Sequence, residues 1–320
     1  MKHNALSYFS RDEIRALVKP RDLAGLRSLL VSWSLIAAAF ALIAAFPHQL
    51  WAWAAGVILL GGRQLALAIL MHECAHYSLF RTRALNDTLG KWLCAAPTWQ
   101  DLPRYRTHHL AHHAHTSLAG DPDLGLSDPF PTSRRGLMRK FARDLTGLTF
   151  LRRVFGTLLM DAGVLTYSAS TGQQRVSPRP SARDVATNLI ARTGPVLLVN
   201  LLLAGLLWAL GYGYLYAAWA LANATVFSAV VRLRAIAEHA VTEATDDPLR
   251  NTRTTQANTF ARLTVAPHHV NYHLEHHLLP TAPHYHLSAV HRLLRERGAY
   301  ATAQYEAGYG KVLTRAAGLG

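Results

Sequence analysis

Four long apolar stretches, separated by polar segments, dominate the pattern of this 320-residue chain. They cover residues 29–46, 50–70, 186–209 and 213–231. Each stretch approaches the roughly 20 residues that a helix needs to cross the hydrocarbon core of a bilayer. Only residues 47–49 separate the first pair, and a short turn around Gly211 separates the second pair. The pattern therefore predicts an all-α integral membrane protein with four transmembrane helices in two hairpins.

The polar remainder forms three segments, at residues 1–28, 71–185 and 232–320. We treat 1–320 as a single domain and expect the polar segments to form a helical cap on the transmembrane helices. In the middle segment, apolar residues recur at helical spacing between Leu137 and Leu158, among many arginines. This spacing predicts one amphipathic basic helix, which either lies on an anionic membrane surface or packs on the polar domain.

Basic residues indicate how the helices are oriented. The chain carries 33 Lys and Arg against 19 Asp and Glu, for a formal charge of +14. All but Arg63 and Arg192 lie in the three polar segments, and neither hairpin turn carries any. Because basic segments stay on the cytoplasmic side, we expect both termini and the cap in the cytoplasm, with the helices in a bacterial inner membrane. This distribution accounts for the positive charge, so we expect no nucleic-acid partner.

The chain has 18 histidines, and half of them fall into four groups on the side that we assign to the cytoplasm. The groups are HECAH at 72–76, HLAHH at 109–113, a single histidine at 239 and HLEHH at 273–277. Residues three and four apart share one face of a helix, so each motif can direct its imidazoles at one point. Imidazole binds iron, zinc, copper and nickel, and iron is favoured because a nitrogen-rich pair of irons can activate O₂. Nine candidate ligands are too many for one ion and suit two: His72, His76, His109, His112, His113, His239, His273, His276 and His277.

The motifs HECAH, HLAHH and HLEHH, threaded through two membrane hairpins, resemble the membrane fatty-acid desaturase and hydroxylase superfamily. Its pattern is HxxxH or HxxxxH followed by two HxxHH motifs, with one further histidine before the last motif. The resemblance extends from the first apolar stretch to Pro280 and implies the same nine histidines as ligands of two iron ions. The set of three motifs is specific, whereas any one of them alone is a weak signal.

The resemblance also implies a reaction and its partners. We expect an O₂-dependent di-iron oxidase of the fatty-acid desaturase type, which introduces a double bond into the acyl chain of a lipid substrate. Hydroxylation, or another oxidation of the acyl chain, is the alternative because it uses the same ligands. The sequence has no flavin, haem, iron–sulfur or HPGG motif, so electrons must come from a ferredoxin-like or cytochrome b5-like carrier with its reductase. We assign no catalytic residue beyond the di-iron centre.

For each of several polar residues next to the motifs, the sequence allows two roles. His108 also fits the second motif, as HxxxHH, but we prefer His109 because its spacing repeats that of the third motif. Glu73, Glu238 and Glu275 each adjoin a candidate ligand. Each of these carboxylates either orients that ring or pairs with one of the many arginines.

Further residues are assigned from their positions alone. Asp121 and Asp123, in GDPD after the second motif, are expected to form a cap or turn, and Asn271 is a candidate to hold a metal-bound water. Arg253 should be exposed on the basic face, which would steer an acidic electron carrier. His291 lies outside the motifs, and we expect its replacement by alanine to be nearly silent.

HECAH is also an HExxH sequence, which in zinc metalloproteases supplies two metal ligands and a glutamate base. A membrane zinc metalloprotease is therefore a distant alternative. It needs only one further ligand and leaves most of the other histidines unexplained. A histidine-rich metal transporter would need ionisable residues within several spans, and the four apolar stretches are nearly bare of them.

Overall fold

A computed structural model describes residues 4–170 and 172–319, and these residues are mostly helical. In chain order the α-helices are α1 (Arg11–Leu17), α2 (Asp22–Ala45), α3 (Leu50–Ala75), α4 (Arg83–Leu89), α5 (Leu102–His115), α6 (Leu124–Ser127), α7 (Arg134–Leu145), α8 (Leu148–Asp161), α9 (Ala182–Ala209), α10 (Leu215–Ala222), α11 (Ser228–His239), α12 (Pro248–Asn251), α13 (Thr259–Leu263), α14 (His273–Leu278), α15 (His284–Glu296) and α16 (Tyr309–Ala316). Strands β1 (Thr254–Thr255) and β2 (Tyr305–Glu306) form a short parallel pair, which departs from the predicted all-α fold. Shorter turns are π-helical at Gly90–Ala95 and Asn223–Phe227, and 3-10 helical at Ala5–Ser7, Ala96–Thr98, Pro267–His269 and Ala299–Ala301.

Four helical segments are long and apolar enough to cross a membrane. They are α2, α3, α9 and Leu215–His239, in which α10 continues through a π-helical turn into α11. At the ends next to the two tight turns, these helices agree closely with the apolar stretches of the sequence. At the opposite ends they are longer, since α2 begins at Asp22, α3 ends at Ala75 and α9 begins at Ala182. Hydropathy marks only the apolar part of a helix, whereas the backbone hydrogen bonding continues into the polar sequence.

Helix α3 occupies the centre of the helical bundle. In the most apolar part of α3, 78% of the residues are buried, whereas in the most apolar part of α9 only 17% are. Helices α2 and α3 approach closely at Gly56, where an added Cβ would lie 2.6 Å from Ile43 Cδ1. Ile36, Leu60 and Trp219 belong to the same core. Helix α9, by contrast, leaves a row of leucines exposed, which is the surface that a lipid-facing helix presents.

Two polar side chains inside α3 are paired within the protein. The buried guanidinium of Arg63 donates hydrogen bonds to the carbonyl oxygens of Arg262 (3.0 Å) and Leu263 (2.6 Å). The amide of Gln64 donates to the carbonyl oxygen of Trp219 at 2.9 Å. Because an unpaired polar group is costly in apolar surroundings, these bonds offset part of the cost of burying both side chains, and they tie α3 to α13 and α10.

The sequence predicted one amphipathic helix where the structure has two, so that prediction is wrong in extent. Gly147 separates α7 from α8 and has a φ of 80°, a left-handed conformation that glycine adopts at little cost. Leu137 of α7 packs with Ile236 of α11, whereas α8 leaves Leu151 and Phe155 exposed. Helix α7 therefore packs on the protein, and α8 presents an apolar surface outward.

Candidate metal centre

The nine histidines predicted as ligands lie together in two adjacent groups. The first group contains His72, His76, His109, His113 and His276, and the second contains His112, His239, His273 and His277. Within each group, one nitrogen from every ring lies within 4.8 Å of the corresponding nitrogens of the others. The two groups touch, because the rings of His113 and His277 stack with their centroids 4.2 Å apart.

Both HxxHH motifs are divided between the two groups. Helix α5 directs His109 and His113 into the first group and His112 into the second. Helix α14 directs His276 into the first group and the other two histidines of its motif into the second. Adjacent residues of an α-helix point about 100° apart. The two adjacent histidines at the end of each motif therefore point into two sites that lie side by side. The expectation that each of these motifs converges on one point is therefore wrong.

Ring nitrogens of the first group face one another at hydrogen-bond distance. Nε2 of His109 lies 2.9 Å from Nε2 of His76 and 3.0 Å from Nε2 of His113. Nε2 of His113 in turn lies 3.0 Å from Nε2 of His276. A neutral imidazole carries one N–H, so one proton or one lone pair would have to serve two contacts at once. A cation between the four rings accepts all their lone pairs, and the geometry therefore fits a metal ion.

Other buried nitrogens of the site have no hydrogen-bond partner within the described part of the chain. They are both ring nitrogens of His72, Nδ1 of His273, Nδ1 of His276 and Nε2 of His277. In the second group, Nε2 of His239 and Nε2 of His273 face each other at 2.8 Å. Because buried polar atoms are normally paired, the two groups of imidazoles fit two metal ions, and imidazole suits iron, zinc, copper and nickel.

Burial keeps these imidazoles neutral. It lowers the pKa of His76 to about 3 and holds the pKa of His109, His113 and His276 well below the usual value for histidine. Neighbouring histidines act in the same direction, because a second positive ring beside the first is repelled. Neutral imidazole is the form that binds a metal, so these rings need not lose a proton before they act as ligands at neutral pH.

Carboxylates lie behind two of the rings of the second group. Nδ1 of His112 forms a 2.8 Å hydrogen bond with Asp121 Oδ1, and Nδ1 of His273 lies 3.4 Å from Glu238 Oε1. A carboxylate hydrogen-bonded to the outer nitrogen, as Asp121 is to that of His112, fixes the tautomer and leaves Nε2 for a metal. Asp121 also accepts a hydrogen bond from the backbone N–H of Ser117. The sequence correctly assigned it to a turn but missed its bond to His112, for which the only signal was a carboxylate soon after the motif.

His108 lies outside both groups among the described residues. Its Nε2 forms a 2.8 Å hydrogen bond with Asp123 Oδ1, and its ring meets Tyr167 edge-on. Of the two readings of the second motif, the structure places His109 among the facing rings and uses His108 to anchor the loop that follows α5.

The carboxylate of Glu73, in the HECAH motif, contacts three other groups of the protein. Its Oε2 accepts hydrogen bonds from the backbone N–H of His284 at 2.7 Å and from the hydroxyl of Ser78 at 3.2 Å. Its Oε1 lies 3.6 Å from Nδ1 of His72. A zinc protease needs this carboxylate as a base beside a metal-bound water. Here it is buried behind the ring of His72 and anchors the start of α15, which disfavours the protease.

The remaining candidates lie at the edge of the centre. Asn271 is tied to β1, because its Nδ2 donates to the carbonyl oxygen of Thr255 at 3.1 Å. His115 is exposed, and His269 stacks on Tyr272. Neither of these two histidines joins a metal-facing group in the residues that the structure describes.

Arginines bind the C-terminal ends of two helices that carry predicted ligands. Arg253 is 2% exposed and donates to four carbonyl oxygens between Ile236 and Val241, at the end of α11 where His239 lies. Arg106 donates in the same way to the last carbonyl oxygens of α3. A cation at a helix C-terminus satisfies unpaired carbonyls and the negative end of the helix dipole. The expectation that Arg253 is exposed to an electron carrier is therefore wrong.

Comparison with known proteins identifies the family to which the chain is similar. The family model described as fatty acid desaturase matches residues 49–309, which include all nine histidines. The chain is 26% identical over 307 residues to the dihydrorhizobitoxine desaturase of Bradyrhizobium elkanii, covering 92% of this chain and 82% of that protein. It is 32% identical over 127 residues to the beta-carotene 4-ketolase of Protosiphon botryoides, covering 36% of this chain and 32% of that protein.

Proposed function

The chain belongs to the fatty acid desaturase family, and we propose that it is an O₂-dependent di-iron oxidase that introduces a double bond into the acyl chain of a lipid substrate. One observation carries this proposal: nine buried or half-buried imidazoles form two adjacent groups of five and four. Two adjacent sites with nitrogen donors suit a pair of metal ions that act on one O₂ molecule. A single-ion enzyme would leave one whole group without a purpose.

The overall reaction sets what the protein must supply. Removal of two hydrogens from adjacent carbons, together with O₂, two electrons and two protons, gives an alkene and two waters. The iron pair, when bound, supplies the oxidising power for breaking an unactivated C–H bond. The histidines would hold the pair, and the burial of both groups would keep bulk water from the reacting carbons.

Side chains behind the ligands would keep this geometry fixed. Asp121 orients the ring of His112, and Glu73 lies behind the ring of His72. Buried Arg253 holds the end of the helix that carries His239. Small displacements of a reacting atom change rates strongly, so this support would decide which hydrogen is removed.

Desaturation is favoured over the alternatives by the extent of the similarity. The relative that matches 92% of the chain is named a desaturase, whereas the ketolase matches 36%. Hydroxylation, or another oxidation of an acyl chain, is the second candidate, because the same ligand groups support it and one of the similar proteins is named for another oxidation.

We further propose that residues 1–320 form one domain in a bacterial inner membrane, with the four candidate spans crossing it as two hairpins. His76 follows the last residue of α3, and His239 ends α11, so both hairpins would present ligands on one side. The basic polar segments support the cytoplasm as that side. Electrons would arrive there from a ferredoxin-like or cytochrome b5-like carrier and its reductase, and we propose no nucleic-acid partner.

Lipid analysis tests the proposed reaction. Cells that express the chain together with a ferredoxin and its reductase would be compared with cells that express His276→Ala, by mass spectrometry with double bonds localised. We expect a new unsaturated acyl product only with the unaltered chain. A new hydroxylated product without a new double bond would favour the alternative, and identical lipids in both cells would contradict an acyl-chain oxidase.

A further inference from the structure

The third histidine motif contains a buried carboxylate that bonds away from the ligands. Glu275 is 0% exposed and accepts hydrogen bonds from three side chains. Thr254 Oγ1 donates to its Oε2 at 2.5 Å, and Nδ1 of His291 lies 2.5 Å from its Oε1. The hydroxyl of Tyr300 donates to the same Oε1. Three donors on one buried carboxylate make a fixed anchor, because hydrogen bonds to a charged group are stronger than neutral ones.

These donors come from elements that carry no predicted ligand. Thr254 lies in β1, His291 lies in α15, and Tyr300 lies in the 3-10 turn that follows α15. His291 is also held in place by stacking on Tyr272, with ring centroids 4.7 Å apart. The carboxylate therefore joins three separate parts of the chain to α14.

Helix α14 needs such an anchor because of what it carries. It has six residues, too few for a helix to be stable by itself. It nevertheless supplies His276 to the first group and two ligands to the second. Its apolar side packs through Leu274 and Leu278 against α12 and α15. Apolar packing alone leaves room for a small rotation, whereas a carboxylate with three directed hydrogen bonds does not.

We propose that His291 and Tyr300 are positioning residues of the metal centre, which act through Glu275 to fix how α14 divides its histidines between the two groups. This inference rests on the proposed function, since it presumes that both groups bind metal. It replaces the expectation from the sequence that substitution of His291 is nearly silent.

Metal retention tests the inference without reference to activity. The detergent-purified holoprotein would be titrated with a chelator, and the metal left on the chain would be measured for the unaltered protein, His291→Ala and Tyr300→Phe. We expect both variants to lose metal from both groups at roughly ten-fold lower chelator concentration, in line with the effect of removing support behind ligands. His291→Asn, which keeps a donor near the position of Nδ1, should recover part of this loss.

His286→Ala is the matched control, because His286 lies on the same helix and bonds through Nδ1 to the carbonyl oxygen of Leu17 at 2.7 Å. It should lower the melting temperature without changing metal retention. Wild-type retention in both His291→Ala and Tyr300→Phe would overturn the inference, and so would equal loss in His286→Ala. Failure of the unaltered protein to bind two metals is a different result, because it would contradict the proposed function. If His291→Ala does not fold, the metal retention of Tyr300→Phe, which removes only one hydroxyl, tests the inference.

Discussion

At the scale of single residues, Asp121 is the side chain that most directly supports the second histidine group. Its carboxylate bonds to Nδ1 of His112 and to the turn that follows α5. It therefore links the orientation of a ligand to the backbone of the adjacent loop. A negative charge at this position also makes the far nitrogen of the ring a better electron donor.

Asp121→Asn should weaken metal binding by the second group about ten- to a hundred-fold, because the ring loses its charged partner. The first group should keep its metal, since none of its five rings bonds to Asp121 in the described residues. Chelator competition followed by metal analysis would measure both. Asp128→Asn, at an exposed position in the same region, is the control. Equal retention by the two variants would contradict the role assigned to Asp121.

A second residue-scale prediction concerns two buried histidines outside the metal groups. His268 bonds to Ser32 Oγ at 2.8 Å and His284 bonds to Ser28 Oγ at 2.9 Å. Burial lowers the pKa of each to about 3, although Glu73 near His284 acts in the opposite direction. Unfolded histidine has a pKa of about 6.5. The unfolded chain therefore binds more protons between these values.

This difference determines the direction in which stability changes with pH. The stabilising contribution of the two rings is complete above about pH 6.5 and is lost progressively as the pH falls toward 3. Melting temperatures at pH 7 and pH 5 would measure the loss, and His284→Gln, which cannot be protonated in this range, should show a smaller one. An identical pH dependence for His284→Gln and the unaltered protein would count against the assignment.

At the scale of elements, the end of α11 depends on a buried guanidinium. Arg253→Met keeps an apolar stem but leaves the carbonyl oxygens of Ala237, Ala240 and Val241 without this donor. Each buried carbonyl left unpaired costs about 1–3 kcal/mol, so we expect a marked fall in melting temperature and loss of metal from the group that contains His239. Arg295→Met, on the exposed side of α15, should change neither. A wild-type melting temperature for Arg253→Met would contradict this prediction, because the carbonyl oxygens would then be hydrogen-bonded by other donors.

The elements also show what the sequence could predict. The apolar pattern located all four candidate spans, because helix length and composition in an apolar solvent are set locally. It could not locate their polar ends, since α3 continues to Ala75 through residues that hydropathy does not mark. Motif spacing identified the nine histidines that lie together. It missed their division into two groups and the bond of Asp121 to His112, because both depend on how separate helices and a loop pack.

At the scale of the whole molecule, the basic segments predict which side of the membrane carries the metal centre. Gln49→Cys should react with an impermeant thiol reagent in intact cells, and Gln173→Cys only after the membrane is opened. Both positions are exposed, and the native Cys74 and Cys94 are buried, so the background should be low. Labelling of Gln173→Cys in intact cells, without labelling of Gln49→Cys, would reverse the proposed orientation.

The number and kind of metal ions per chain test the central claim most directly. Elemental analysis of the detergent-purified protein should give two irons per chain, because five imidazoles form one site and four form another. His115→Ala, at an exposed histidine outside both groups, should keep that content, and His276→Ala should lower it. A single zinc per chain without iron would contradict the di-iron account.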